Sequence, residues 1–253
     1  MIRRITPWAA SLVLLACVPG IVHAQAGPAP AAPMKAPTAS RFLKAGELDA
    51  SLILPPPPAA GSPEAAAEIA ELRALETTRT PARLARAQHD AATENFTAIA
   101  EIFGPLINLD RLPATARLFA DLRIEDGIAV KAAKTFFRRP RPWEVDATLA
   151  ADPAQADCDK GEAETSYPSG HAMMGYSAGG LLAQLMPGNA QLILKRASDY
   201  AESRLICSVH YRRDIEASHV LATALIAKLM TKPDFQAEFE AARAELTAAH
   251  IAP

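Results

Sequence analysis

The strongest constraint on the fold of this chain is the placement of proline next to residues that cap helices. Ser62-Pro63 and Thr80-Pro81 each put a capping hydroxyl before a proline that suits the first position of a helix. Pro140 prevents a helix from continuing past about residue 139. Between these points apolar residues recur at helical spacing, and no alternating pattern of useful strand length occurs. The sequence therefore predicts an all-α helical bundle.

The length of the chain suits a single domain, since 253 residues of which 50% are hydrophobic can build one sizeable core. Residues 51–54 and the prolines after them are predicted to be extended, because consecutive prolines exclude helix. A loop is expected over residues 146–166. Helices are predicted from residue 63, from 81 to Gly104, and over 114–139, 170–185, 189–207, 213–230 and 234–250.

Residues 1–24 are typical of a secretory signal peptide. Arg3 and Arg4 supply the positive start, residues 5–18 are mostly apolar, and Val22-His23-Ala24 suits signal peptidase. We predict cleavage after Ala24 and a periplasmic or secreted protein. A lipoprotein anchored at Cys17 is the alternative, although Leu is unusual at the second position of such a cleavage box.

The mature chain is predicted to start with an Ala- and Pro-rich flexible leader over residues 25–47, followed by the folded domain over 48–253. No later stretch approaches the roughly 18 uninterrupted apolar residues that a spanning helix needs. The formal net charge of −2 and a pI near 6.3 give no reason to expect nucleic acid as a partner. The sequence leaves the number of subunits open, a homo-oligomer included.

Two cysteines remain once the signal peptide is removed, and both lie in a compartment where disulfides persist. We predict that Cys158 and Cys207 are bonded, with two independent buried thiols as the alternative. Such a bridge would stabilise the fold by about 4 kcal/mol in the chain-entropy description.

Three short segments carry residues suited to phosphate chemistry, and each falls at a predicted helix boundary. They are Lys134-x6-Arg141-Pro142, Pro168-Ser169-Gly170-His171 and Ser203-Arg204-x5-His210-x3-Asp214. Each segment alone has an ordinary explanation, such as a solvated helix face, a capped helix or a surface ion pair. Their occurrence together in one chain favours a common site.

The second segment predicts an anion cradle at the start of a helix. Ser169 and Gly170 place a capping hydroxyl and a residue without a side chain where unpaired backbone N–H groups face outward. His171 in the first turn is then positioned to give a proton to whatever leaves the bound phosphate.

The other two segments supply cations and a second histidine. Arg141 and Arg204 can bind phosphate oxygens with planar forks, while Lys134 adds a point charge. The third segment also carries a histidine and an aspartate four residues apart, so that Asp214 can hold one ring nitrogen of His210 and leave the other free for attack. No His and carboxylate arrangement with zinc spacing occurs in the sequence, so neither a metal nor another cofactor is expected.

The three segments resemble the signature of the type 2 phosphatidic acid phosphatase (PAP2) superfamily, which includes the bacterial class A non-specific acid phosphatases and has the vanadium haloperoxidases as relatives. The resemblance covers most of residues 48–249. It implies a PAP2-type helical bundle and an acid phosphatase that acts on small phosphate monoesters through a phosphohistidine, with phosphotransfer as a side activity. It further implies that phosphate is held by Lys134, Arg141, Ser169, Gly170 and Arg204, and that His210 attacks, His171 protonates the leaving alcohol and Asp214 supports His210.

Some residues depart from the class A pattern, among them Ala172, Ser208-Val209 and the helix-like stretch 93–103. These differences concern the pocket wall and substrate preference.

Two other functions stay open from the sequence: a vanadate-dependent haloperoxidase, and a phosphate or headgroup binder without catalysis. An acid phosphatase should have an acidic pH optimum and be inhibited by vanadate, which mimics phosphate in transfer.

Overall fold

The computed structural model describes residues 40–251, and within them the secondary structure is helical, with no strand. This confirms the predicted fold class. Short 3₁₀ segments occur at Glu101–Leu106, Leu109–Arg111, Pro153–Asp157 and Pro187–Asn189. The α-helices are α1 Ala50–Ile53, α2 Pro63–Thr78, α3 Pro81–Ala92, α4 Thr97–Ala100, α5 Pro113–Phe137, α6 Pro142–Val145, α7 Ala147–Ala150, α8 Gly170–Leu185, α9 Ala190–Ile206, α10 Arg212–Leu229 and α11 Pro233–Ala248.

Helices α2 and α3 begin where the hydroxyl–proline pairs place them. The Ser62 hydroxyl accepts a hydrogen bond from the backbone N–H of Ala65 at 3.1 Å, and that of Thr80 accepts from Arg83 at 3.2 Å. Each cap satisfies a backbone donor that the helix itself leaves unpaired.

Helix α8 lies at the centre of the bundle and packs against α5, α9 and α10. Its approach to α9 requires glycine at two positions. A β-carbon on Gly175 would lie 2.6 Å from the Tyr200 ring, and one on Gly179 would lie 2.6 Å from the Ala197 side chain. This close packing fixes the N-terminus of α8 relative to the last turn of α9, and both border the site described below.

Helix α3 is shorter than predicted, because it ends at Ala92 instead of continuing to Gly104. The Asn95 carboxamide oxygen accepts hydrogen bonds from the backbone and hydroxyl of Thr97, an Asx turn that competes with helix. The stretch before Pro55 also differs, since residues 50–53 form the one-turn helix α1, capped by Asp49. Helix α7 lies at the start of the region predicted as a loop, and α6 directly precedes that region.

The packed part of the chain extends ahead of the predicted boundary at residue 48. The hydroxyl of Ser40 and the backbone N–H of Arg41 both donate to the buried carboxylate of Glu125, and Phe42 packs edge-on against Phe235. The predicted signal peptide, Cys17 and residues 25–39 lie outside the described residues. No helix between residues 40 and 251 combines the length and apolar character needed to cross a membrane.

Candidate active site

One cavity of about 710 Å³ collects side chains from all three of the predicted segments. The end of α5, the start of α8, the end of α9 and the loop over residues 159–165 form its walls. Ser169 and Asp214 lie directly behind the wall and are fully buried. The predicted site residues that line the cavity are Lys134, Arg141, Gly170, His171, Arg204 and His210.

Asp214 is the most heavily hydrogen-bonded acid of this site. It accepts from Nδ1–H of His210 at 3.1 Å, from a guanidinium N–H of Arg139 at 2.7 Å, from the Ser166 hydroxyl at 2.5 Å and from the Tyr211 backbone N–H at 3.0 Å. Burial raises the pKa of Asp214, and Arg139 with the other donors opposes this by stabilising the carboxylate. All four donors point hydrogen at carboxylate oxygens, which is the arrangement that the ionised form requires.

These contacts fix which nitrogen of His210 is free. Since Nδ1 keeps its proton and donates it in a hydrogen bond to Asp214, Nε2 carries a lone pair, which accepts a hydrogen bond from Arg141 at 2.9 Å. Burial, and then the neighbouring charges of Arg141 and Lys134, lower the pKa of His210 well below its usual value. The ring is therefore neutral, with an unprotonated nitrogen directed at the cavity.

The cavity cation Arg204 has few hydrogen-bond partners among the described residues. Arg204 is 1% exposed, and one of its terminal N–H groups donates to the carbonyl of Asp159 at 2.7 Å. Its Nε and Nη1 atoms have no hydrogen-bond partner among the described residues. Burial lowers the pKa of Lys134 to about 8 and that of Arg141 to about 10, and mutual repulsion among the cations adds to this. Buried donors without partners indicate an anion site.

Ser169 caps helix α8 instead of lining the cavity. Its hydroxyl accepts from the backbone N–H of Ala172 at 3.3 Å, and its carbonyl accepts from the hydroxyl of Ser218 at 2.8 Å. The first turn of α8, starting at Gly170, thus faces the cavity with its unpaired N–H groups and positive dipole end.

His171 occupies the same turn and is 5% exposed. Its Nε2 lies 3.0 Å from the carbonyl of Ala91 and is therefore the protonated nitrogen, while Nδ1 lies 3.9 Å from a carboxylate oxygen of Glu94. Burial, followed by the charge of Arg204, lowers the pKa of His171 well below its usual value.

The sequence analysis missed three residues that hold this site together. Arg139 bridges Asp214 and Glu68, and its guanidinium stacks 3.8 Å from the Tyr211 ring centroid. Glu68 comes from the distant helix α2, so no local pattern could have indicated it. The Ser166 contact to Asp214 likewise joins residues 48 positions apart.

The predicted disulfide between Cys158 and Cys207 is present, with Cα atoms 5.9 Å apart. It joins the loop that carries Asp159 to the turn between Arg204 and His210. Two walls of the cavity are thereby covalently linked. Among residues 40–251, no three His, Cys, Asp or Glu side chains are grouped so as to hold a metal ion.

Comparison with known proteins places the chain among phosphatases. The PAP2 superfamily matches residues 122–236, a span that contains every predicted phosphate-binding and catalytic residue from Lys134 to Asp214. The chain is 31% identical over 210 residues to a non-specific acid phosphatase of Providencia stuartii, covering 81% of this chain and 84% of that one. It is 30% identical over 210 residues to an acid phosphatase of Zymomonas mobilis, covering 80% and 78%. A non-specific acid phosphatase of Salmonella typhimurium is 30% identical over 162 residues, 62% of this chain and 63% of that one.

Proposed function

Because the chain belongs to the PAP2 superfamily and is an acid phosphatase, we propose that it hydrolyses phosphate monoesters through a phosphohistidine formed on His210. The observation that carries this proposal is the pairing of two features in one cavity. The unprotonated Nε2 of His210 faces inward, backed by Asp214, and the buried Nε and Nη1 of Arg204 beside it have no hydrogen-bond partner within the described residues.

In the first step, the phosphoryl group binds among Lys134, Arg141, Arg204 and the first turn of α8. Nε2 of His210 attacks phosphorus, and the bond to the ester oxygen breaks. The proton on Nδ1 of a protonated His171 passes to that oxygen, so that the leaving group departs as a neutral alcohol. The guanidinium groups and the helix N-terminus stabilise the charge on the phosphoryl oxygens.

Substrate binding must displace one contact of the ligand-free site, the hydrogen bond from Arg141 to Nε2 of His210. Phosphate oxygens are stronger acceptors than imidazole and take over this N–H, which frees the lone pair for attack. The hydrogen bonds of Arg141 to Thr165 and to the carbonyl of Val209 keep the guanidinium at the cavity wall during this exchange.

In the second step, water attacks the phosphorus of phosphohistidine, and the neutral His171 accepts its proton. The bond from phosphorus to Nε2 breaks, and inorganic phosphate leaves. An alcohol in place of water would take the phosphoryl group and give a new monoester, which is the predicted phosphotransferase activity.

Chemical quenching tests the intermediate directly. Enzyme mixed with ³²P-labelled monoester should carry label that survives alkali, is lost in acid, and maps to the peptide containing His210. His210→Ala should neither label nor turn over substrate, whereas His219→Ala, an exposed histidine on α10, should do both. Acid-stable label, or full activity of His210→Ala, would contradict the proposal.

The pH dependence follows from the two histidines. Burial lowers the pKa of both His171 and His210, so His210 stays neutral at mildly acidic pH while His171 is protonated only toward lower pH or beside a bound phosphate. We expect kcat/KM to be highest below about pH 6.5, the value of unperturbed histidine, and to fall at higher pH. A kcat/KM that stays constant up to pH 9 would contradict this expectation.

Vanadate should act as a competitive inhibitor, since it mimics the phosphoryl group in transfer, and no cofactor is required in this mechanism. The comparison assay is peroxide-dependent bromide oxidation with added vanadate. Vigorous bromination without hydrolysis of an aryl phosphate would favour the haloperoxidase alternative.

We also propose that the protein is exported and loses residues 1–24. The disulfide between Cys158 and Cys207 supports an oxidising compartment. Amino-terminal sequencing of the protein isolated from its native cells should begin at Gln25. A start at an acylated Cys17 would instead identify a lipoprotein.

A further inference from the structure

We propose that Glu94 is a positioning residue for His171: its carboxylate holds the imidazolium in the orientation from which Nδ1 protonates the leaving group. This inference rests on the proposed function, since it assigns a role to a residue that neither the sequence motifs nor the family match includes. Glu94 lies in the turn between α3 and α4, outside residues 122–236.

The hydrogen bonding of His171 leaves a single nitrogen for proton transfer. Nε2–H donates to the carbonyl of Ala91 at 3.0 Å, so this proton is held in a hydrogen bond to the backbone. Only Nδ1 can deliver a proton into the cavity. The nearest carboxylate oxygen to it, Oε1 of Glu94, is 3.9 Å away, which is ion-pair distance once the ring is protonated.

Glu94 is itself held at two points by Arg123 of helix α5. The guanidinium lies 3.0 Å from Oε1, and its Nε–H donates to the backbone carbonyl of Glu94 at 3.2 Å. The same oxygen lies over the start of α8, because a β-carbon added to Gly170 would be 3.3 Å from it. The carboxylate therefore has a fixed place at the cavity wall beside the anion cradle.

The charges around His171 show why a carboxylate is needed there. Arg204 from α9 and Lys134 and Arg123 from α5 all disfavour a protonated ring, as does burial. The hydrogen bond to the Ala91 carbonyl favours the protonated ring, but the carbonyl carries no charge. The other neighbours add no negative charge, since His210 is neutral and the raised pKa of the stacked Tyr200 keeps its phenol uncharged. Glu94 is the acid in ion-pair contact with the ring, and an opposite charge at this distance favours the imidazolium.

The consequence is a dependence on the leaving group. An alkyl alkoxide is a poor leaving group and needs the proton from His171, whereas 4-nitrophenolate is stable without it. Loss of the Glu94 charge should therefore impair hydrolysis of alkyl phosphates and spare hydrolysis of 4-nitrophenyl phosphate. A role of Glu94 in folding or in phosphate binding would affect both esters equally.

The test compares kcat/KM for glycerol 2-phosphate with kcat/KM for 4-nitrophenyl phosphate. We use kcat/KM because it reports the reaction up to the step that releases the alcohol. Glu94→Gln should lower kcat/KM about tenfold for the glycerol ester and less than about twofold for the aryl ester, and it should move the alkaline limb of the glycerol profile about one pH unit lower. Glu240→Gln removes an exposed carboxylate of α11 that is paired with Arg243 and does not line the cavity, and it should change neither the ratio of the two kcat/KM values nor the pH profile.

Glu94→Asp provides the second variant, since it keeps the charge and should recover most of the activity on the glycerol ester. Equal losses on both esters in Glu94→Gln, or an unshifted pH profile, would overturn the role of Glu94 while the wild-type phosphohistidine remained detectable. Absence of that phosphohistidine in the wild type would instead overturn the proposed function.

Discussion

At the scale of single residues, the proposed nucleophile, His210, depends on a side chain that does not line the cavity. Arg139 is 7% exposed and joins Asp214 to Glu68 on α2. Through Asp214 it fixes the tautomer of His210, and through Glu68 it ties the start of α10 to another helix, because Glu68 also accepts the backbone N–H of Arg213 at 2.9 Å. One guanidinium thus links the proposed catalytic geometry to the stability of the bundle.

Arg139→Met should lower the unfolding free energy by about 3–5 kcal/mol, because it leaves two buried carboxylates without their cation. The activity of the remaining folded enzyme should also fall, since Asp214 loses a donor that keeps it ionised. Urea unfolding and kcat measured below the transition check the two effects. Arg138→Met is the matched control: its exposed guanidinium pairs with the exposed Glu164, so both quantities should stay near wild type. Equal behaviour of the two variants would contradict this account.

The sequence predicted which residues meet at the cavity better than it predicted what supports them. Motif residues are recognisable because their chemistry is unusual at helix boundaries. The pair Arg138-Arg139, in contrast, gives no sign of which guanidinium turns inward. The structure settles this through the backbone: Arg138 has a positive φ of 44°, which ends α5 and directs the following residue into the core. Such a reversal depends on tertiary packing and has no local signature.

At the scale of elements, long helices were predicted and one-turn helices were not. Helix α8 begins at Gly170 and ends at Leu185, both as predicted, because its cap and its apolar sequence agree. A single turn such as α7 has no periodicity to detect and does not form alone. It exists because Asp146 accepts two of its first backbone N–H groups and is paired with Arg73 on α2.

The loop over residues 159–165 determines where Arg141 lies, and Gly161 is its critical position. Gly161 has φ +69°, and a β-carbon there would collide with the guanidinium of Arg141. Gly161→Ala should lower kcat/KM about 100-fold by displacing this group. Gly61→Ala introduces the same strain at φ +76° with no atom within 4 Å, so it should lower stability by a similar amount, about 1 kcal/mol, and leave kcat/KM unchanged. Equal kinetics in both variants would show that the loop does not position Arg141.

The disulfide acts on the same loop from its other end. The bridge spans 49 residues, so Cys158→Ser with Cys207→Ser should lower the unfolding free energy by about 4 kcal/mol and Tm by about 10 °C. KM should rise as well, because the carbonyl of Asp159 that holds Arg204 is adjacent to Cys158. Calorimetry and kinetics with and without reductant provide the check. Reductant should weaken only the wild type, and an unchanged Tm in the double variant would contradict the prediction.

At the scale of the whole molecule, the ligand-free enzyme is destabilised by its own anion site. Lys134, Arg141 and Arg204 are brought together at one cavity, and burial lowers the pKa of all three. Phosphate relieves this repulsion, and a ligand at 100 times its Kd adds about 2.7 kcal/mol to stability. If the cavity is the proposed phosphate site, the fold loses stability in order to hold that site preformed, as active sites commonly do.

Lys134→Met tests this trade-off, since it replaces the cation with an apolar side chain of similar length. In the absence of phosphate at pH 7 the variant should be more stable than wild type, by about 3 kcal/mol. The pKa of Lys134 is about 8 in the folded state against 10.5 in the unfolded chain, so the unfolded chain binds the proton more tightly between these values. The stability of the wild type therefore rises with pH across this window, and the advantage of the variant should vanish near pH 10.5.

Phosphate should reverse the order of stability at pH 7, because it stabilises the wild type and binds poorly to Lys134→Met. Urea unfolding of both proteins at several pH values, with and without phosphate, measures each of these differences. Lys131→Met removes an exposed lysine one helical turn earlier on α5 and should show neither the gain in stability nor the loss of the phosphate effect. If Lys134→Met were less stable than wild type at pH 7 without phosphate, the three cations would have to be held by favourable contacts, and the stability cost assigned to the anion site would be wrong.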